Sequence, residues 1–191
     1  MVRRIKMSKK ILFIDTETGG IDAEKHSLLS IGLVIWEDKR IIDSKEFFIK
    51  HETFNVTPTA MKINKIDFQE FLKVAKEPHI ILSEIMEFLK RNFNNNFPVV
   101  LGGHNTNFDI SFFKNFLMEH RVDFNSLFSY RFIDTSSILK YLYYANIVTE
   151  DISSADAAFE YFNIDVKNRH SALGDAIATA ELFNHLLEII N

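Results

Sequence analysis

A short apolar run, Ile11 to Ile14, ends in Asp15-Thr16-Glu17-Thr18-Gly19-Gly20. This junction constrains the fold more than any other stretch of the chain. It reads as a buried strand running into a turn. Residues two apart on a strand point the same way, so Asp15 and Glu17 present two carboxylates on one face. Open α/β sheets place ligands at such strand ends. Two further β-branched and aromatic runs follow, Leu28 to Trp36 and Ile41 to Ile49. The polar turn Glu37-Asp38-Lys39-Arg40 between them makes a hairpin.

Helical signals come next. Pro58 and Thr59 open a short piece through Met61 and Ile63, and Pro78 stands at a first helical position ahead of Ile81, Ile85, Phe88 and Leu89. Pro98 to Leu101 reads as a fourth strand entering Gly102-Gly103-His104-Asn105, followed by a helix from about Phe108 to His120. Arg131 to Ile133 is a short fifth strand, with Asp134, Thr135 and Ser136 as cap candidates for the next helix. Ala176, Thr179, Ala180, Phe183, Leu187 and Ile190 form one face of a last helix. The order predicts an α/β domain whose mixed five-stranded sheet joins an antiparallel hairpin to parallel strands, flanked by helices.

With 47% hydrophobic residues and 19 Phe, the 191-residue chain can build one aromatic-rich core. No internal boundary stands out, so residues 11–191 read as a single domain. Cysteine is absent, so thiolate metal sites are excluded and any metal is held by oxygen or imidazole. No apolar run reaches the roughly 18 residues that span a bilayer, and the basic N-terminus lacks the apolar stretch of a secretory signal. The expectation is a cytoplasmic protein without a membrane partner. Net charge is −4, yet the first ten residues carry Arg3, Arg4, Lys6, Lys9 and Lys10 with no acid, leaving −9 for the rest. Residues 1–10 read as a disordered basic tail. So acidic a body disfavours a protein that wraps many phosphates and leaves room for one that handles a few terminal nucleotides.

Two more segments carry chemistry. His104-Asn105-Thr106-Asn107-Phe108-Asp109 lies where the fourth strand gives way to a helix. Arg169-His170-Ser171-Ala172-Leu173-Gly174-Asp175-Ala176 opens the last helix, with His170 five residues before Asp175. Asp15, Glu17, Asp109 and Asp175 brought together would repel one another unless cations lay between them. Hard ions such as Mg²⁺ or Mn²⁺ accept an all-oxygen site. Two of them roughly 3.5–4 Å apart clamp the attacking and leaving oxygens of a phosphodiester. His170 supplies an imidazole suited to take a proton from water near neutral pH.

These three segments resemble the exonuclease motifs of the DEDD superfamily in its histidine-bearing DEDDh branch, which includes the proofreading epsilon subunit of bacterial DNA polymerase III and ribonuclease T. Asp15 and Glu17 match the first motif, and Asp109 falls in the His-Asn-x-x-Phe-Asp string of the second. His170, Ala172, Asp175 and Ala176 match His-x-Ala-x-x-Asp-Ala of the third. The likeness runs from Ile11 to about Leu187. It implies a ribonuclease-H-like fold, two divalent cations, and 3′-to-5′ hydrolysis of a nucleic acid releasing nucleoside 5′-monophosphates. It also implies that Thr16, Glu17, His104, Asn105 and Phe108 surround the terminal nucleotide. Val56 to Ile66 resembles a segment that packs an apolar residue on the terminal bases, with Ile63 and Asn64 where many relatives have valine and histidine. Ser30 departs from a Glu common on the second strand.

Rival readings are weaker. Asp134 follows a strand without a motif around it and reads as a cap. His26, His51, His79, His120 and His185 read as surface or core residues, and Phe112, Phe113 and Phe116 as core. Gly19-Gly20 and Gly102-Gly103 lack the Lys-Ser/Thr of a phosphate loop. An aspartyl phosphatase would show Asp where Glu17 stands. A non-catalytic module that binds nucleic acid or a polymerase would have lost a carboxylate or the histidine, and none is lost. Single-stranded or frayed DNA is the expected substrate, with RNA 3′ ends the alternative and a DNA polymerase as the partner the resemblance suggests.

Overall fold

Strands β1 (Lys10–Thr18), β2 (Leu28–Glu37) and β3 (Arg40–Phe48) form an antiparallel meander, and β4 (Leu101–Gly103) and β5 (Ile133–Asp134) continue the sheet in parallel with β1. The spatial order is β3-β2-β1-β4-β5, a mixed five-stranded sheet of ribonuclease-H-like type. The structure is a computed structural model that describes residues 9–189. Arg3, Arg4 and Lys6 of the basic segment and Ile190 of the last helical face lie outside those residues. Lys10, read as part of a tail, opens β1, pairs with Glu37 and donates to the Asn92 carbonyl at 3.0 Å.

The apolar patterns follow from position in the sheet. β2 is buried at every residue but its last, whereas β3 alternates exposed and half-buried positions, as an edge strand must. Leu12 and Ile14 face one side with Leu33, Ile35 and Phe47, packed against Ile85 and Phe88 of α3 (Pro78–Phe93) and Phe112, Phe113 and Phe116 of α4 (Thr106–Glu119). The intervening Ile11 and Phe13 face the other side with Val34 and Trp36, against Ala176, Ala180 and Phe183 of α8 (Ala172–Ile189). Phe13 is fully buried, so Phe13→Ala costs about 3–5 kcal/mol by the usual cavity penalty.

Helix α8 buries more than the single face its sequence suggests. Ala178, Leu182 and Leu186 pack outward against Leu139 and Leu142 of α6 (Thr135–Tyr144) and Phe159 of α7 (Ala155–Tyr161). A helix sandwiched in this way loses its amphipathic stripe.

Three boundaries differ from the sequence reading. β4 begins at Leu101 rather than Pro98 and takes in Gly102-Gly103, which the sequence reading places after the strand. A Cβ on Gly102 would lie 2.8 Å from the Phe13 ring, so only glycine lets this strand lie against β1. β5 is displaced toward the chain's end, to Ile133–Asp134, and α4 starts earlier, at Thr106. Helices α1 (Pro58–Asn64) and α3 begin at the prolines that announced them. The short α2 (Phe68–Val74), α5 (Phe124–Leu127) and α7 carry no periodic signal and are held by the caps Asp67, Asp123 and Ser154.

Candidate active site

The alternation that sends Ile11 and Phe13 toward α8 continues past the core as Asp15 and Glu17. Both therefore meet the first turn of α8, which carries Asp175. One oxygen from each of Asp15, Glu17 and Asp175 lies within 4.8 Å of the others. The start of α8 is pressed onto the sheet at Gly32, where a Cβ would lie 2.2 Å from the Ala172 carbonyl oxygen. Any other residue there would push the helix, and Asp175 with it, off β2.

Asp109 arrives from the opposite side. Thr16, one residue out of phase with Asp15, faces α4 and donates its hydroxyl to Asp109 Oδ1 at 2.7 Å. Asp109 is buried in the first turn of α4, where the helix N-terminus favours a negative charge.

These carboxylates are held far from comfort. Burial, and then the charges of Asp109, Asp175 and Glu17, raise Asp15 well above the usual carboxylate range. Burial followed by Asp175 and Glu46 pushes Glu17 up to about 8. Burial pushes Asp109 up to about 7 against the opposing hydrogen bond from Thr16, and raises Asp175 as well. Asp175 Oδ1 is a buried oxygen without a hydrogen-bond partner among the described residues. An all-oxygen donor set, mutual repulsion and an orphaned carboxylate oxygen together fit hard divalent cations.

The two candidate histidines differ in how they are held. His104 Nδ1 lies 2.9 Å from the Thr135 hydroxyl, its ring also bonds the Ser153 backbone, and burial lowers its pKa, so the ring is held in place. His170 is half-buried at the helix entrance in the left-handed region, φ 68°, and its ring nitrogens have no hydrogen bond among the described residues. A non-glycine residue held there stores on the order of 1–3 kcal/mol of strain.

All eleven residues predicted for the site, Thr16, Ile63, Asn64, His104, Asn105 and Phe108 among them, line one cleft of about 750 Å³ with the acids and His170. Ile63 is 55% exposed at the wall, while Asn64 is buried and donates to the Thr18 carbonyl at 2.8 Å. Asn105 is the left-handed cap of α4, its N–H held by Asp134 Oδ1 at 2.8 Å. Asp134 also caps α6 through Ser136, as its sequence context suggests.

The cleft also contains residues the sequence reading passed over. His26, read as surface or core, lines it, as do Ile21, which is 87% exposed, and Asp156. Arg169 donates Nη1 to Asp175 Oδ2 and Nη2 to Asp156 Oδ1 at 2.6 Å. It directly precedes His170, but nothing local says whom it will pair. Glu46 of β3 caps α8 through the Ala172 and Leu173 amides, and Ser30, where the resemblance expects Glu, donates to it at 3.1 Å. A carboxylate thus still reaches this position from the neighbouring strand.

Comparison with known proteins agrees with this geometry. The profile of a family described as Exonuclease matches residues 12–183. A PolC-type DNA polymerase III from Caldanaerobacter subterraneus is 28% identical over 181 residues, 94% of this chain but only 12% of that polymerase. Ribonuclease T from Histophilus somni is 26% identical, over 93% of this chain and 85% of its own length. Among solved structures, the nuclease domain of 3′hExo, a DEDDh family member bound to rAMP, superposes with a TM-score of 0.75 at 16% identity, covering 96% of this chain and 94% of that one. Exonuclease I from E. coli in complex with a dT13 oligonucleotide gives 0.74 at 17% identity, covering 94% of this chain and 40% of that one.

Proposed function

Because the chain belongs to the exonuclease family, as a DEDDh-type 3′–5′ exonuclease acting on nucleic acid, we propose that its substrate is single-stranded or frayed DNA, trimmed to nucleoside 5′-monophosphates. In this reading Asp15, Glu17, Asp109 and Asp175 hold two divalent cations, Mg²⁺ or Mn²⁺. The observation that carries it is the convergence of three carboxylate oxygens within 4.8 Å in a cleft that also holds Asp109 and His170.

Such cations supply charge neutralisation and Lewis acidity to a phosphodiester. The chain's own residues do the rest. His170 accepts the proton of the attacking water on a ring nitrogen, which its freedom from other hydrogen bonds permits. His104 is tied at Thr135 and Ser153 and positions rather than titrates. The exposed apolar side chains of Ile63 and Ile21, together with Phe108 of the same cleft, give the terminal bases a surface to pack on. Thr16 fixes the orientation of Asp109. A body with net −9 has few cations for further phosphates, which suits an enzyme that grips only an end.

The preference for DNA rests on motif wording close to epsilon-type exonucleases and on the PolC-type relative, whose full activity and partners extend far beyond the matched 12%. A polymerase partner is the natural extension of that likeness. Ribonuclease T, matched over 85% of its length, favours the second reading, the same chemistry on RNA 3′ ends. Among the described residues no helix is long and apolar enough to cross a membrane. The deciding experiment is a digestion series on matched single-stranded DNA, single-stranded RNA and mismatched duplex ends with Mg²⁺ and with excess EDTA. DNA trimmed at least tenfold faster than RNA supports the first reading, and the reverse order replaces it with the second. Undiminished digestion in EDTA overturns the cation assignment.

A further inference from the structure

We propose that Arg169 is a positioning residue that fixes the Asp175 carboxylate for cation binding, with Asp156 as its anchor. This rests on the reading above that Asp175 is a cation ligand. Three contacts hold the guanidinium in place. Nη1 donates to Asp175 Oδ2, while Nη2 and Nε reach Asp156 Oδ1 at 2.6 and 3.2 Å. The group also lies 5.5 Å over the Phe159 ring, a member of the core between α7 and α8. Arg169 therefore ties the first turn of α7 to the first turn of α8 across the cleft wall.

The consequence falls on one torsion. The χ2 of an aspartate is broad and soft, so an untied carboxylate turns freely about its Cβ–Cγ bond. The His170 backbone also bonds this carboxylate, and with Oδ2 engaged by the guanidinium as well, rotation is blocked and Oδ1 is left buried and without a partner. A planar, permanently charged fork suits this task better than an ammonium. Its positive charge would oppose a nearby cation, and Asp156 offsets that cost by pairing the same guanidinium from the solvent side. The Asp156 side chain is 82% exposed and that of Asp175 only 11%, so the two halves of the relay are unequal. Most of the effect belongs to the Asp175 contact, because exposed pairs contribute little.

The test is Mn²⁺ binding by titration calorimetry on the full chain without nucleic acid. Loss of a partner that orients a metal ligand typically weakens binding roughly 10–100-fold, and that is the expectation for Arg169→Ala. Asp156→Ala should cost only about threefold, since an exposed pair is worth a fraction of a kcal/mol. Unchanged or tighter binding in Arg169→Ala overturns the proposal, tighter binding meaning that the guanidinium competes with the cation. If Arg169→Ala does not fold, judged by its thermal unfolding in chelator, Arg169→Lys decides the matter. It keeps the charge and loses the fork, so a several-fold loss supports the role and wild-type affinity refutes it. A wild-type chain that binds no Mn²⁺ would instead sink the reading of Asp175 as a ligand.

Discussion

On the α8 side of β1, Asp15 and Glu17 meet Asp175 with their oxygens crowded together, whereas on the α4 side Asp109 lies outside that trio, acts on Asp15 by its charge, and accepts a hydroxyl hydrogen bond from Thr16. The alternation of one strand creates both arrangements. Odd positions deliver two acids to one helix, and the even position between them delivers a donor to the other. The crowded side is built for charge that comes from outside. The α4 side has its own hydrogen-bond donor and a helix N-terminus to lean on. Substitutions that treat the two sides alike should therefore change rate similarly and stability differently.

The largest effect is on rate. Asp15→Asn and Asp109→Asn should each lower turnover by about 10³ or more, since loss of a cation ligand forfeits several kcal/mol of transition-state stabilisation. Either variant cleaving near the wild-type rate removes that residue from the site. Their stabilities in chelator should diverge. Asp15→Asn relieves repulsion from three neighbours and should raise the unfolding temperature, while Asp109→Asn relieves less and perturbs the Thr16 bond. Equal shifts would erase the distinction between the two sides.

Next comes His170. Its substitution by Ala should lose roughly 10²–10⁴ in kcat, the usual contribution of a positioned base. Mn²⁺ affinity should stay within about twofold, because the four carboxylates remain. His170→Gln keeps bulk and some hydrogen bonding but takes no proton, so it should be nearly as poor. A Gln variant with near wild-type kcat would make His170 a mere entrance to α8.

The three acidic segments were legible because each couples a local pattern to a special position: a strand end, a strand-to-helix turn, a helix start. The hairpin and α3 were equally plain, since alternation and N-terminal prolines are local signals. What stayed hidden depends on neighbours distant in sequence. Gly102 lies in a strand because it pairs with β1, and the Phe13 ring beside it leaves no room for a Cβ. Arg169 sits beside the recognised His170, yet its pairing with Asp156 is decided by the packing of α7 against α8. Glu46 looks like any solvent-facing residue of a hairpin until α8 sets its amide groups above it. His26 was set aside as unplaced, and the loop after β1 folds it back into the cleft wall.

A smaller effect tests the donor on the α4 side. Thr16→Val keeps the shape and removes the hydroxyl, leaving the buried Asp109 oxygen without that hydrogen bond. The expected cost is about 1–3 kcal/mol of stability. Turnover should fall about tenfold, at the low end for the loss of a group that orients a metal ligand. A Val variant with wild-type stability and rate would show that the backbone amides of Thr16 and Asp109 hold this carboxylate without the hydroxyl.

The smallest effect is the response of stability to pH, and its sign differs from that of ordinary acid denaturation. Glu17 is raised to about 8 and Asp109 to about 7, from ordinary values near 4.5 and 3.8. Between those limits the folded chain holds protons that the unfolded chain has released, so stability falls as pH rises. His104, lowered by burial, acts oppositely up to its ordinary value of 6.5, because there the unfolded chain binds the extra proton. The carboxylate effect should therefore emerge most cleanly from about pH 6.5 to 8. In chelator, the unfolding temperature should drop there by about 5 °C, at roughly 2–4 °C per kcal/mol for a chain of this size. Saturating Mg²⁺ should flatten the drop, since a bound cation favours the ionised forms. Glu17→Gln should remove much of the slope and Asp109→Asn less of it. A chelated wild type whose unfolding temperature is flat or rising from pH 6.5 to 8 would mean that both carboxyl groups are already ionised. The crowding on the α8 side would then be relieved by water or by Arg169.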